Sequence, residues 1–158
     1  MEARFPKADG LATLEKIKTA LPQVKVVLFS GYDSPTYIAR ATALGASDYV
    51  LKSSSPEMLL NAVTRAAADQ PAGTESLLEI MRTNMNRRRE AADESLPVTN
   101  REVQVLRHIA LGLSNREIGK SLTISVETVK EHVQNLLRKL EAADRTQAAV
   151  MAVKRGLV

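Results

Sequence analysis

Residues 99–146 read TNREVQVLRHIALGLSNREIGKSLTISVETVKEHVQNLLRKLEAADRT, and this is the most informative stretch of the chain. It contains three signals for the start of a helix. Thr99 and Ser114 each precede a glutamate by three positions, which is the pattern of a capping box. Ser125 is a third N-cap residue ahead of an apolar periodic run. The spacing therefore predicts three consecutive helices.

The third predicted helix, residues 126–140, has two distinct faces. A short turn at 122–124 joins it to the preceding helix, and two helices joined so closely form a helix-turn-helix. The N-terminal half of such a helix can reach base edges in the major groove of DNA. An ordinary amphipathic surface helix would also explain the two faces taken alone. The apolar face comprises Val126, Val129, Val133, Leu136, Leu137 and Leu140, and the polar face comprises Glu127, Lys130, Glu131, Gln134 and Arg138.

This stretch resembles the helix-turn-helix of the LuxR/NarL family of bacterial transcription regulators. The match extends over about sixty residues. Two positions depart from the family pattern: Asn100 stands where proline is frequent, and Gly119 where alanine is frequent. A glycine there is expected to weaken its helix by up to about 1 kcal/mol. The matching elements are Thr99, Arg101-Glu102, Gly112-Leu113-Ser114-Asn115, Glu117-Ile118, Ile124-Ser125, Thr128-Val129-Lys130, His132, Asn135, Lys139-Leu140 and Arg145.

The resemblance implies a set of contacts with double-stranded DNA. Glu131 is the awkward member of the base-facing group, because a carboxylate repels phosphates and usefully accepts only from cytosine. His132 either touches a phosphate or packs internally. The residues implied near bases are Lys130, Glu131 and Gln134, and those implied near the DNA backbone are Thr128, Asn135, Arg138 and Lys139.

The resemblance also implies a homodimer on an inverted-repeat operator. In the family, a short helix after the recognition helix pairs the two protomers. The matching segment here is residues 146–155, and its expected dimer face consists of Ala149, Val150 and Val153.

The N-terminal region follows an α-β-α-β-α order. The pattern predicts helices at 9–21, 34–44 and about 55–68 and strands at 24–30 and 47–52. Short connections between alternating elements indicate a parallel α/β sheet. Asp9 caps the first helix, whose apolar stripe is Leu11, Leu14, Ile17 and Leu21, and the apolar run 24–30 is typical of a strand buried on both faces. Two strands alone make this region look incomplete.

This region is similar to the C-terminal part of a two-component receiver domain, from its third helix to its fifth. FPKADG (5–10) resembles the loop that follows the phosphoacceptor. Ser30 matches the switch hydroxyl, Tyr49 the switch aromatic residue and Lys52 the phosphate-contacting lysine, whereas Glu2 stands at the acceptor position in place of aspartate.

These departures from the receiver pattern affect whether the chain can be phosphorylated. A receiver needs an aspartate nucleophile and a Mg²⁺ held by an acidic pair on its first strand. The chain shows neither, and Asp9 reads as a helix cap in preference to a substitute acceptor. We therefore expect no transfer of phosphate from acetyl phosphate. Either an internal start codon or a deliberate fragment would explain the missing first half.

The expected fold is thus a truncated α/β receiver remnant followed by an all-α helix-turn-helix domain, mostly helical overall. The predicted domains are the receiver part at 1–68, a helical linker at 69–97 and the DNA-binding domain at 98–158. A helix is expected over about 75–92, with Leu77, Leu78, Met81 and Met85 on one side. The charge run NRRRE (86–90) is either a solvated surface or an arm that contacts DNA.

The composition argues against several kinds of site and of membrane segment. The chain has no cysteine, and its two histidines lie 24 positions apart, so neither a thiolate site nor a histidine metal pair is expected. No apolar run approaches the roughly 20 residues that cross a bilayer, and the N-terminus is unlike a signal peptide. Residues 99–158 carry ten basic and six acidic side chains, as suits a surface that meets phosphates.

Together these features predict a cytoplasmic, sequence-specific DNA-binding transcription regulator that is not itself phosphorylated. No enzyme activity, cofactor, metal or membrane association is expected. The alternative is an interaction module, a truncated receiver that pairs with full-length response regulators and moderates them.

Overall fold

The structure, a computed structural model, describes residues 1–5, 8–87 and 97–157. These residues fall into two compact units, Met1–Arg82 and Thr83–Val158. The finer division at 68/69 and 97/98 stays a prediction.

The first unit is a small α/β structure. Its helices are α1 (Gly10–Ala20), α2 (Pro35–Ala43) and α3 (Pro56–Ala67), and its strands are β1 (Arg4–Phe5), β2 (Ala8–Asp9), β3 (Val27–Ser30) and β4 (Asp48–Leu51). A further helix, α4 (Leu77–Asn86), begins in this unit and ends in the second.

The parallel pair β3–β4 forms the centre of the first unit. Its register pairs Val27 with Asp48 and Ser30 with Leu51. Met1 flanks the other side of β3, because its amino group donates to Val27 O at 2.7 Å and its carbonyl accepts from Phe29 N at 2.8 Å. β1 and β2 form a separate antiparallel pair that the sequence pattern does not predict.

The helix boundaries follow the caps read from the sequence. Asp9 accepts a hydrogen bond from Leu11 N at 2.9 Å, which confirms it as the cap of α1. Pro35 and Pro56 occupy the first turns of α2 and α3, where a missing N–H costs nothing. Gly45 ends the second helix region with a φ of 83°, a conformation that favours glycine.

Two details of the predicted first unit are wrong. The strand expected over 24–30 pairs only from Val27, and its burial alternates, with Leu28 buried and Phe29 half-buried. One face of this small sheet is therefore covered more completely than the other, which a continuous apolar run does not reveal. Leu21, expected in the apolar stripe of α1, is 50% exposed because the helix has already ended at Ala20.

The second unit contains four described helices beyond α4. They are α5 (Asn100–Ala110), α6 (Asn115–Leu122), α7 (Val126–Leu140) and α8 (Arg145–Lys154). Both predicted capping boxes are present, and Ser125 Oγ accepts from Thr128 N at 3.0 Å. The predicted bounds of α7 are confirmed. Thr123 and Glu141 take left-handed φ values of 55° and 52° at the ends of α6 and α7.

A compact apolar core holds these helices together. α5 packs against both α7 and α8, and α6 packs against α7. Val103, Ile118 and Leu136 are fully buried, one from each helix of the helix-turn-helix region. The mostly helical fold and its two parts agree with the predicted fold class. The predicted helix over 75–92 is confirmed for 77–86, and its last residues lie outside the described part of the chain.

Within the described ranges, no helix has both the length and the apolar character needed to cross a bilayer.

Candidate functional site

The polar face of α7 is exposed along its whole length. All five residues assigned to it from the sequence lie on the surface, whereas Val129, Leu136 and Leu140 on the other side are buried. The core therefore holds α7 by one face and presents the other. The exposed residues are Glu127, Lys130, Glu131, Gln134 and Arg138, and the half-buried residues along its flank are Thr128, Asn135 and Lys139.

The start of α7 is fixed by hydrogen bonds to the turn before it. Ser125 Oγ lies 3.0 Å from Thr128 Oγ1, in addition to capping the Thr128 amide. Ile124 N donates to Gly119 O at 2.9 Å, which ties the turn back to α6. These contacts set where the first exposed turn of α7 begins.

Gly119 allows this close approach of α6 and the turn. A Cβ atom at this position would lie 2.8 Å from the carbonyl oxygen of Ile124, closer than van der Waals contact permits. From the sequence alone, glycine at this position is expected only to weaken the helix, because its helix propensity is low. Its benefit, space for a backbone carbonyl, depends on the folded turn.

Lys139 is engaged within the domain. Its Nζ donates to Glu102 Oε1 at 3.0 Å and to Oε2 at 2.8 Å, while Glu102 also accepts from Thr99 N at 2.7 Å. Burial alone would raise the pKa of Glu102, but the hydrogen bonds from Lys139 and Thr99 outweigh it and lower the pKa. The implied contact of Lys139 with DNA stays a prediction, and this ion pair competes with it.

His108 is a buried polar link between α5 and α6. Its Nδ1 lies 2.7 Å from Gln104 O and its Nε2 lies 2.8 Å from Ser121 Oγ. A carbonyl can only accept, so Nδ1 carries the proton and Nε2 accepts from the serine hydroxyl. Burial lowers the pKa of His108. His132 is half-buried on α7, which leaves both of its predicted roles open.

α8 is anchored at its start and apolar on its surface. Asp144 caps it by accepting from Gln147 N at 2.8 Å, and Arg145 donates to Leu113 O at 2.7 Å. Val150 is 46% exposed and Val153 is 55% exposed. The third residue of the predicted dimer face, Ala149, is half-buried.

In the first unit, the structure brings Glu2, Ser30 and Lys52 together. Lys52 Nζ lies 2.7 Å from Glu2 Oε2, and the fully buried Ser30 hydroxyl also hydrogen-bonds to this carboxylate. Tyr49 is buried nearby and donates through its hydroxyl to Tyr32 O at 2.7 Å. The residues matched to receiver positions thus form one cluster around the carboxylate of Glu2.

This cluster changes the acid strength of Glu2. Partial burial would raise the pKa of the carboxyl, but hydrogen bonds from Lys52, Ser30 and the amide of Ala3 lower it to about 2. Burial raises the pKa of the Tyr49 hydroxyl. Among the residues that the structure describes, no cluster of three or more acidic or histidine side chains could hold a metal ion.

The long-range contacts of the second unit are not predicted by the sequence pattern. Besides the Glu102–Lys139 and His108–Ser121 contacts, the buried Arg107 donates from Nε to Leu157 O at 3.1 Å. A charged residue on the apolar side of a predicted helix is a signal for such a partner. Nothing local identifies which residue the partner is.

Comparisons with known proteins agree with both parts of the chain. The model of the luxR family of bacterial regulatory proteins matches residues 96–152, and that of the response regulator receiver domain matches residues 1–64. The chain is 35% identical over 161 residues to the uncharacterized transcriptional regulatory protein YxjL of Bacillus subtilis, covering all of this chain and 74% of that protein. It is 34% identical over 158 residues to the response regulator protein VraR of Staphylococcus saprophyticus, with the same coverage.

Response regulator ChrA of a heme-sensing two-component system aligns with a TM-score of 0.45 at 26% identity, covering 100% of this chain and 75% of that one.

Proposed function

Since this chain belongs to the LuxR-type response regulators, a family of DNA-binding transcription regulators and not of enzymes, we propose that it reads a specific DNA sequence through α7. We further propose that this binding does not depend on phosphorylation of the chain and that it takes place in the cytoplasm.

One observation carries the proposal: the polar face of α7 is exposed, whereas Val129, Leu136 and Leu140 on its apolar face are buried. Lys130 and Gln134, one turn apart on the exposed face, are long donors suited to base edges. Glu131 lies beside them and can accept from cytosine. Each good base contact contributes about 1–3 kcal/mol of discrimination between base pairs.

The flanks of α7 are suited to the DNA backbone. Thr128 and Asn135 are half-buried at the edge of the exposed face, and Arg138 is exposed and donates to Asn135 Oδ1 at 3.1 Å. Contacts of this kind fix the register of a protein on the duplex without reading its sequence.

Pairing of two protomers through α8 would match an inverted repeat. Val150 and Val153 are apolar, exposed and three positions apart on one helix, so they lie on one face. Self-association through such a face brings two copies of α7 to related half-sites.

The pairing of Glu2 supports independence from phosphorylation. The carboxylate at the matched acceptor position is a glutamate, and its ion pair with Lys52 occupies the lysine that would otherwise contact a phosphoryl group. Incubation with acetyl phosphate and Mg²⁺ should leave the mass of the intact chain unchanged. A stoichiometric adduct of one phosphate would contradict this part of the proposal.

Selection of binding sites from random duplex DNA by the purified chain tests the proposal. We expect an enriched inverted repeat. A single asymmetric site would contradict pairing through α8, and no enrichment at all would contradict sequence-specific binding.

One observation favours a second candidate, an interaction module that pairs with a full-length response regulator. The surface of α3 exposes Leu60 to 66% and Val63 to 48%, and these side chains lie three positions apart on one face of the helix, where a partner would cover both. DNA binding that appears only when a full-length regulator is added would favour this function, and binding by the chain alone would favour the first.

A further inference from the structure

The contact between Glu102 and Lys139 joins two elements that are 37 residues apart in sequence. Glu102 lies in the first turn of α5, and Lys139 lies in the last turn of α7. The Glu102 side chain is 5% exposed and that of Lys139 is 31% exposed. This ion pair lies at the edge of the core, and both of its side chains are less exposed than those of the Arg82–Glu79 pair, which are 44% and 32% exposed.

The same carboxylate closes the N-terminus of α5. Oε2 of Glu102 accepts from the backbone amide of Thr99, and Thr99 Oγ1 accepts from the amide of Glu102 at 3.2 Å. A residue that completes a capping box has a fixed side-chain conformation. It can therefore hold Lys139, and with it the end of α7, at a defined place.

Removal of Lys139 from this pair would be costly. A buried carboxylate left without its cation is strongly destabilised, because burial disfavours the charged form. If the ammonium group moved to a phosphate of bound DNA, Glu102 would face that cost. The pair therefore opposes use of Lys139 as a phosphate ligand.

Lys139 lies next to the exposed polar face of α7 that carries Lys130 and Gln134. His132, Asn135 and Lys139 follow each other at helical spacing along the half-buried edge of α7. This edge borders the exposed face that carries Gln134. A rotation of α7 about its axis would therefore move the half-buried edge and the exposed face together.

We propose that Glu102 and Lys139 are positioning residues: their ion pair fixes the rotation of α7 on α5, and Lys139 makes no phosphate contact when DNA is bound. This inference rests on the proposed reading of DNA by α7.

The dependence of DNA affinity on salt separates the two roles of Lys139. Each phosphate contact contributes about 0.9 to the slope of log K against log salt concentration. Arg138→Gln is the matched control, since it removes one cation from the neighbouring exposed position and should lower the slope by about that amount. Lys139→Gln should keep the slope of the wild type and lower the ratio of specific to non-specific affinity by about tenfold. A slope lowered by Lys139→Gln with an unchanged ratio would overturn the proposal.

Glu102→Gln is an independent test, because the charge effect and the loss of the ion pair predict different results. It removes a negative charge near the DNA-binding face, so electrostatics alone predict tighter binding. Loss of the ion pair predicts a lower specific to non-specific ratio instead, and Lys139→Arg should retain the wild-type ratio. If Lys139→Gln fails to fold, Glu102→Gln and Lys139→Arg test the proposal in its place. An unchanged or increased ratio of specific to non-specific affinity in Glu102→Gln would contradict it. A wild-type chain without site preference would contradict the proposed function, a separate outcome.

Discussion

The ammonium group of Lys52 lies 2.7 Å from Oε2 of Glu2, at the two positions where the receiver resemblance places the phosphate-contacting lysine and the phosphoacceptor. Both residues belong to the first unit. Glu2 thus acts as the anion that Lys52 and Ser30 bind.

Glu2→Gln should destabilise the first unit in a pH-dependent way. The pKa of Glu2 is about 2 in the folded chain and about 4.5 when unpaired. The stabilisation is therefore fully present above about pH 4.5 and is lost as the pH falls toward 2. Because Lys52 is 52% exposed, solvent screening limits the effect to about 1 kcal/mol or less.

Urea unfolding of the wild type and of Glu2→Gln at pH 7 and pH 3 measures this effect. Glu75→Gln is the matched control, since it removes an exposed carboxylate from the same unit. A Glu2→Gln effect no larger than that of the control at pH 7 would show that the pair contributes nothing.

Gly119→Ala should destabilise the helix-turn-helix despite the better helix propensity of alanine. The new Cβ would lie 2.8 Å from Ile124 O, so the turn must move. We expect a net loss of about 1–3 kcal/mol, after a propensity gain of up to about 1 kcal/mol. Gly73→Ala, which meets no atom within 4 Å, is the control and should change stability little. Thermal unfolding of both variants decides, and a stabilised Gly119→Ala chain would refute the steric role.

The stability of the second unit should fall as the pH decreases below about 6.5. Burial lowers the pKa of His108 in the folded state, so the unfolded chain binds more protons in that range and stability decreases with acidification. His108→Gln retains hydrogen-bonding capacity without titrating, so the fall in unfolding free energy between pH 7 and pH 5 should be smaller than in the wild type. His132→Gln is the control. An equal fall in unfolding free energy in the wild type and in His108→Gln would show that His108 does not cause the pH dependence.

Val150→Ser combined with Val153→Ser should weaken self-association and cooperative binding to two half-sites. These side chains are 46% and 55% exposed, and their burial in a dimer would remove apolar surface from water. Leu60→Ser on α3 is the control, because it removes an apolar side chain from the other unit that is 66% exposed. Sedimentation velocity with and without DNA gives the oligomeric state. Dissociation by Leu60→Ser alone would place the dimer contact on α3.

Local signals predicted much of this fold. The caps at Thr99, Ser114 and Ser125 each depend on a residue three positions away, so the local sequence contains both partners of the interaction. The same holds for the periodic faces of α7, whose exposure follows the predicted pattern.

Contacts between distant residues could not be predicted in this way. Lys139 fits a phosphate contact by its position on the helix, and only the packing of α7 on α5 brings it to Glu102. For the same reason, the sequence predicts only a loss of helix stability at Gly119. The carbonyl of Ile124, which lies where a Cβ atom of residue 119 would be, belongs to the turn after α6. Burial of β3 on one face was missed because its neighbours in space are not visible in its own seven-residue run.

The direct test of reading by α7 is the affinity of Lys130→Ala for the selected inverted repeat and for a scrambled duplex. Lys154→Ala, on α8, is the matched control for the loss of one positive charge. The preference of the wild type for the selected site should fall by about 1–3 kcal/mol in Lys130→Ala, which is about 5-fold to 150-fold, and should persist in the control. A folded Lys130→Ala chain with unchanged affinity and unchanged site preference would contradict the assignment of α7 as the helix that reads DNA.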